Sequence, residues 1–125
     1  MRKPFISVVT PVRNGEPFLR ECIESVLAQT LDDWEYLIVN NASTDRTREI
    51  AEEYARMDDR IRVIDTPEPL PMMANWNFAL RQISPESTYC KVIHADDLMY
   101  PDCLRRMSDL ASRESRVGLV GAARR

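Results

Sequence analysis

The sequence predicts an α/β domain with a mainly parallel sheet flanked by helices, and three observations carry that prediction. Short runs rich in β-branched residues recur along the chain, stretches with apolar residues at helical spacing follow them, and polar turn-forming segments separate the two. Alternating strands and helices imply right-handed crossovers and parallel neighbours. A length of 125 residues, with no internal repeat or low-complexity tract, fits one such domain.

Each element has its own warrant. Phe5-Ile-Ser-Val-Val-Thr10 reads as a buried first strand, ended by Pro11, which cannot donate to a central ladder. Pro17 suits the first turn of a helix, and Leu19, Cys22, Ile23, Val26 and Leu27 give that helix one apolar stripe. Trp34-Glu-Tyr-Leu-Ile-Val39 is the second strand, and the turn-forming loop Asn40 to Asp45 precedes a helix carried by Ile50, Ala51, Tyr54 and Ala55. Ile61 to Ile64 form a short third strand, and the prolines of Thr66-Pro-Glu-Pro-Leu-Pro71 rule out a regular element there. Met73, Trp76, Asn77 and Leu80 mark a third helix, its Met and Trp side chains read as core packing. A fourth strand begins at Tyr89. Leu104, Met107, Leu110 and Ala111 then mark a fourth helix, and Val117 to Val120 begin a fifth strand.

Composition narrows the function classes. The 17 Lys and Arg against 20 Asp and Glu give a net charge of −3 with the basic residues dispersed, which argues against a nucleic-acid partner. Cys22, Cys90 and Cys103 are odd in number, lack a C-x-x-C spacing and lie in or beside apolar runs, as buried free thiols of a reducing compartment do. Pro11 and Arg13 interrupt the N-terminal apolar run, so it does not read as a signal peptide, and no apolar run approaches the ~20 residues of a transmembrane helix. The expectation is a soluble, cytoplasmic chain.

The chemistry gathers at strand ends. Tyr89-Cys-Lys-Val-Ile-His-Ala-Asp-Asp-Leu98 delivers two adjacent carboxylates, Asp96 and Asp97, at the end of an apolar run. In an open α/β sheet that edge binds ligands, so Thr10 to Asn14, Asn40 to Asp45 and His94 to Asp97 are expected to converge there. On extended backbone the two carboxylates would point opposite ways, one toward a metal and one toward a hydroxyl, unless the chain turns between them. Neither phosphate-binding glycine motif, G-x-x-x-x-G-K-[ST] or G-x-G-x-x-G, is present, so a diphosphate would need an acidic pair and a hard cation such as Mg²⁺ or Mn²⁺. Asn40 and Asn41 offer amide groups able to read a base or ribose, or simply to build a turn. His94, the only histidine, has no partners for a nucleophilic triad.

The ordered pieces Ile6-Ser-Val-Val-Thr-Pro-Val-Arg-Asn14, Phe18-Leu19, Ser25-Val-Leu-Ala-Gln-Thr30, Ile38-Val-Asn-Asn-Ala-Ser-Thr-Asp45 and His94-Ala-Asp-Asp-Leu-Met-Tyr-Pro101 resemble the family 2 glycosyltransferases of the GT-A fold, a Rossmann-like architecture. The resemblance covers almost the entire chain. It implies a nucleotide-sugar donor, most often a UDP-sugar, with Mg²⁺ or Mn²⁺ bridging its diphosphate. It also implies that Thr10, Pro11 and Arg13 line the nucleoside pocket, with Asn40 and Asn41 beside them and Asn41 facing the base. Asp96 would approach the ribose and Asp97 would hold the metal. Two positions depart from the family pattern: Arg13 stands where an aromatic residue is usual, and Asn40-Asn41 where an acidic pair is usual. A guanidinium plane can still stack on a base.

The family's acceptor pocket and general base come from sequence beyond the fifth strand. Residues 1–125 are therefore expected to be the donor-binding half, with the acceptor, a saccharide, lipid or protein, engaged elsewhere. Two alternatives stand beside this reading: a receiver-like signalling module, whose acidic pair would follow the first strand rather than the fourth, and a nucleotide-binding domain without activity.

Overall fold

The computed structural model describes residues 5–113. Its elements follow in the order β1 (Ile6–Val12), α1 (Glu16–Leu27), β2 (Trp34–Asn40), α2 (Thr47–Met57), β3 (Ile61–Asp65), α3 (Met72–Leu80), β4 (Tyr89–Val92) and α4 (Cys103–Arg113). The strand expected at Val117 to Val120 lies outside the described residues.

The described strands form one sheet in the order β3-β2-β1-β4, and every pairing is parallel. This is the Rossmann-like order, in which the chain works outward from β1 to β3 and then returns to the other side of β1. The reversal puts a topological switch point between β1 and β4. A receiver-like domain would place β3 rather than β4 beside β1, so the strand order separates the two expectations.

Alternation along the strands supplies two cores. Ile6, Val8 and Val12 of β1, with Tyr36 and Ile38 of β2, pack against Leu19, Cys22, Ile23 and Val26 of α1 and Ile50, Ala51 and Tyr54 of α2. Val9, Leu37 and Val39 point to the opposite face and meet Ala79 and Phe78 of α3. Helices thus cover both faces, which explains why β1 is buried at every residue instead of alternating with polar positions.

Pro11, expected to end the first strand, lies inside it. Alternate residues of a parallel strand turn their backbone polar groups toward opposite neighbours. The Val12 carbonyl accepts from Asn41 on the β2 side, whereas the Val9 carbonyl accepts from Ile93 on the β4 side. The missing N–H of Pro11 falls on the β4 side, where pairing has ended at Val9 and Val92. The sheet therefore loses no bond to the proline.

Two further expectations are corrected. On α3, Met73 is 66% exposed and Leu80 42%, while Asn75 and Ala79 form the buried side. Apolar residues occur all round this short helix, so spacing alone does not select the packed face. Of the three free thiols only Cys22 is buried; Cys90, on β4 at the edge of the described sheet, is exposed.

Candidate functional site

The loops after β1, β2 and β4 meet at the carboxyl edge of the sheet, around the switch point. Backbone and short polar side chains lock the first two together. Asn14, at φ 54°, accepts the Thr44 N–H on its Oδ1 at 2.7 Å and donates its own N–H to Ser43 Oγ at 2.9 Å. The Gly15 N–H donates to Thr47 Oγ1 at 2.8 Å, and Glu16 donates to Asp45 Oδ2 at 3.1 Å. Burial opposes ionisation of Asp45, but hydrogen bonds from the Thr47 hydroxyl and N–H and from Glu16 outweigh it and hold its carboxyl below the ordinary aspartate value. Asn14, Ser43 and Asp45 carry no motif of their own, and only their positions in the two loops reveal the lock.

The two asparagines serve the neighbouring strand and linker. Asn40 Nδ2 donates to Asp65 at 3.0 Å across the β2–β3 pair, and its Oδ1 accepts the Ser43 N–H at 3.3 Å. Asn41, 4% exposed, donates from Nδ2 to the Leu70 carbonyl at 2.8 Å. Its Oδ1 accepts the Leu70 N–H at 2.9 Å and the Thr66 hydroxyl at 3.3 Å. The side chain mimics a strand partner for residue 70 and fixes the proline-rich segment just ahead of α3. Asn75 on that helix is buried with its Oδ1 unpartnered.

Thr10 is fully buried on the α1 face of the sheet, its hydroxyl 2.7 Å from the Tyr36 hydroxyl. Pro11 is buried on the other face, and Arg13 is exposed at the mouth of the loop. The Cys22 thiol lies 3.5 Å from Tyr36 Oη and donates to the His94 carbonyl at 3.5 Å. Burial pushes the Cys22 thiol up, with smaller contributions from the Asp97 and Asp96 charges nearby, and burial pushes the Tyr36 phenol well up. Thr10, Tyr36 and Cys22 therefore form a neutral buried cluster beneath the acidic pair.

The acidic pair itself sits on a turn. β4 ends at Val92, and the Asp97 N–H donates to the His94 carbonyl at 2.9 Å, closing a turn over residues 94–97. Extended backbone through Ala95, which would have sent the two carboxylates to opposite sides, is not what the chain adopts, because β4 loses its β1 partner as the sheet edge is reached. Asp96 is exposed and Asp97 half-buried. Trp76 of α3 packs on the His94 ring, centroids 5.0 Å apart and planes at 41°. Beyond the turn, Gln29 clasps the segment leading to α4, donating to the Tyr100 carbonyl at 2.8 Å and accepting the Leu104 N–H at 2.9 Å.

No group of three His, Cys, Asp or Glu side chains able to hold a metal occurs among the described residues. A divalent cation here would take Asp97 of the adjacent acidic pair as its protein ligand. Hard carboxylate oxygens suit Mg²⁺ or Mn²⁺, which readily leave their other positions to water and phosphate.

An open parallel sheet wound on both faces, with polar loops meeting at its switch point, defines an α/β ligand-binding domain of the GT-A type. The sequence profile of Glycosyl transferase family 2 matches residues 7–125, and the chain belongs to that family. Among curated relatives, the uncharacterized glycosyltransferase EpsJ of Bacillus subtilis (strain 168) is 36% identical over 118 residues, covering 94% of this chain and 33% of EpsJ. Glycosyltransferase GlyA of Streptococcus pneumoniae is 36% identical over 97 residues, covering 78% of this chain and 14% of GlyA. In three dimensions, S. aureus TarS 1-349 superposes with a TM-score of 0.78 at 23% identity, over 90% of this chain and 33% of TarS 1-349. The mannosyltransferase PcManGT of Pyrobaculum calidifontis, crystallised with GDP-Man and Mn²⁺, gives 0.74 at 23% identity, over 97% of this chain and 34% of its own. At such identities the likeness speaks for the fold. The chain spans about a third of the length of EpsJ.

Proposed function

We propose that residues 1–125 form the donor-binding part of a glycosyltransferase that takes a sugar from a nucleotide-sugar, a UDP-sugar first among them, with Mg²⁺ or Mn²⁺ at the acidic pair. The observation that carries this reading is the Asp96–Asp97 turn at the switch point, facing the loops after β1 and β2 in a chain without a glycine phosphate loop. TarS has been crystallised with UDP-GlcNAc and PcManGT with GDP-Man and Mn²⁺, which supports a nucleotide-sugar and a divalent cation here.

In this reading Arg13 and Pro11 flank the base, the guanidinium lying free to stack, and Asp96 accepts from a ribose hydroxyl. Asn40 borders the pocket, while Thr10 and Asn41 form its floor, their polar groups already engaged by Tyr36, Leu70 and Thr66. Asp97 holds the cation, which neutralises diphosphate charge when bound. Inverting transfer also needs a carboxylate to take the acceptor proton, and none of the described residues is assigned to that role. The acceptor is a saccharide, lipid or protein. The free thiols fit the reducing environment of the cytoplasm, and no described helix is long and apolar enough to cross a membrane.

Calorimetric titration of UDP with Mn²⁺ and with EDTA tests the reading. Binding should require the metal, Asp97→Asn should remove that requirement together with the affinity it confers, and Asp96→Asn should weaken uridine and UDP alike by about 1.5–3 kcal/mol at most. Equal affinity in EDTA, or an unaltered Mn²⁺ response in both variants, would mean that this turn is only a solvated loop.

A further inference from the structure

We infer that His94 is the positioning residue of the acidic turn, holding Asp96 and Asp97 between the two helical layers by its ring on one side and its carbonyl on the other. The inference rests on the donor-site reading and adds to it a means by which the carboxylates are kept in place.

The need arises from the local backbone. Between Val92 and Cys103 the chain has no regular element, yet the two carboxylates can serve a ribose hydroxyl and a cation well only if their geometry is fixed within about 0.5 Å. Exposed Asp96 and its neighbour sit on a turn closed by a backbone bond from the Asp97 N–H to the His94 carbonyl. Backbone bonds in turns near solvent open more readily than those of the core.

His94 receives a fastening from each face of the sheet. Its carbonyl accepts not only Asp97 but also the Cys22 thiol of α1 at 3.5 Å. Cys22 in turn lies 3.5 Å from Tyr36 Oη, and Tyr36 lies 2.7 Å from Thr10 Oγ1, so the turn is tied to the buried middle of β1 and β2. On the opposite face, the ring packs on Trp76 of α3. The start of α3 is itself fixed through the paired hydrogen bonds between Asn41 and Leu70. A shape-based contact from one layer and a neutral hydrogen bond from the other therefore converge on one residue, two positions before the first carboxylate.

This arrangement gives Trp76 and Cys22 a purpose beyond core filling. The Trp76 ring is only partly buried and packs on the imidazole, and Cys22 donates its S–H to a loop carbonyl instead of a carbonyl of its own helix. Both touch His94 and reach the acidic pair only through it. Loss of such partners typically lowers metal affinity by about 10- to 100-fold without touching a ligand.

The test is titration of Mn²⁺-supported UDP binding in the 125-residue chain and its variants, with uridine binding measured in parallel on the same samples. His94→Ala and Trp76→Ala should each raise the Mn²⁺ concentration needed for half-maximal UDP binding by about 10-fold or more, with uridine affinity falling no further than Asp96→Asn lowers it. His94→Phe, which keeps a ring for Trp76 and leaves the carbonyl in place, should restore the Mn²⁺ requirement to within about threefold of wild type. An unchanged Mn²⁺ requirement in His94→Ala overturns the inference while leaving the donor-site reading standing. Loss of uridine binding beyond that of Asp96→Asn in both alanine variants overturns it as well, because the ring pair would then serve the fold in general. Absence of any Mn²⁺ effect in the wild-type chain defeats the donor-site reading, and this inference with it.

Discussion

Gly15→Ala is expected to damage both the fold and the site, and its size can be worked from the surroundings of that glycine. Gly15 adopts φ −99° and ψ 13°, a conformation open to alanine, so backbone strain does not decide the outcome. Space decides it. A Cβ added there would lie 2.5 Å from Val12 Cγ2 and 3.2 Å from Ala95 Cβ. Ordinary carbon contacts are about 3.5–4.0 Å, so Val12 must give way by roughly 1 Å, in a core position where it is only 4% exposed. Overpacking of this kind costs about 1–3 kcal/mol, against which alanine recovers about 0.4–1 kcal/mol by restricting the unfolded chain. A net loss of about 0.5–2 kcal/mol should lower the thermal midpoint by roughly 2–10 °C. Because Ala95 belongs to the turn that carries Asp96 and Asp97, the Mn²⁺ requirement for UDP binding should rise too. In a Val12→Ala background the alanine should cost about 1 kcal/mol less, a coupling that denaturant unfolding of the four proteins of the cycle measures directly. Additive effects in that cycle, or a Gly15→Ala protein as stable as wild type, would refute the close-approach argument.

Two other perturbations follow from the loop after β2. Ala42 sits at φ 51°, where a side chain costs about 1–2 kcal/mol, whereas glycine loses about 0.5–1 kcal/mol of unfolded-state freedom; Ala42→Gly should therefore stabilise the chain by about 0.5–1 kcal/mol in urea unfolding, and a loss of stability would contradict the strain. Asp45 has a folded-state carboxyl pKa below its ordinary value, so its stabilisation is fully present above about pH 4, falls away as pH drops through the folded value, and is gone below it. Asp45→Asn should accordingly cost about 1 kcal/mol at pH 7 and progressively less below pH 4, and a wild-type advantage that grew on acidification would reverse the sign assigned to this group.

Among the described residues, sequence alone determined the strands and helices, because their signals are local. The β-branched runs at Ile6 and Trp34 and the stripe Leu19, Cys22, Ile23, Val26 are periodicities that burial later respects. The position of Asp96-Asp97 after the fourth strand was equally legible, since an apolar run ending in two carboxylates needs no partner to be recognised. Tertiary structure decided what depends on neighbours. Pro11 could remain inside β1 only because β4 stops pairing two residues earlier, a fact of strand order. The packed face of α3 was chosen by the sheet it covers, since Met73 and Leu80 are more apolar than Asn75 and Ala79, the residues it buries. Asn41 and Thr10 read as pocket residues by position, yet Leu70 and Tyr36, distant in sequence, had already taken up their polar groups. The pairing of His94 with Trp76 and Cys22 was invisible for the same reason: a ring contact 18 positions apart and a thiol-to-carbonyl hydrogen bond 72 positions apart are set by the packing of helices on opposite faces of the sheet, and no local pattern records them.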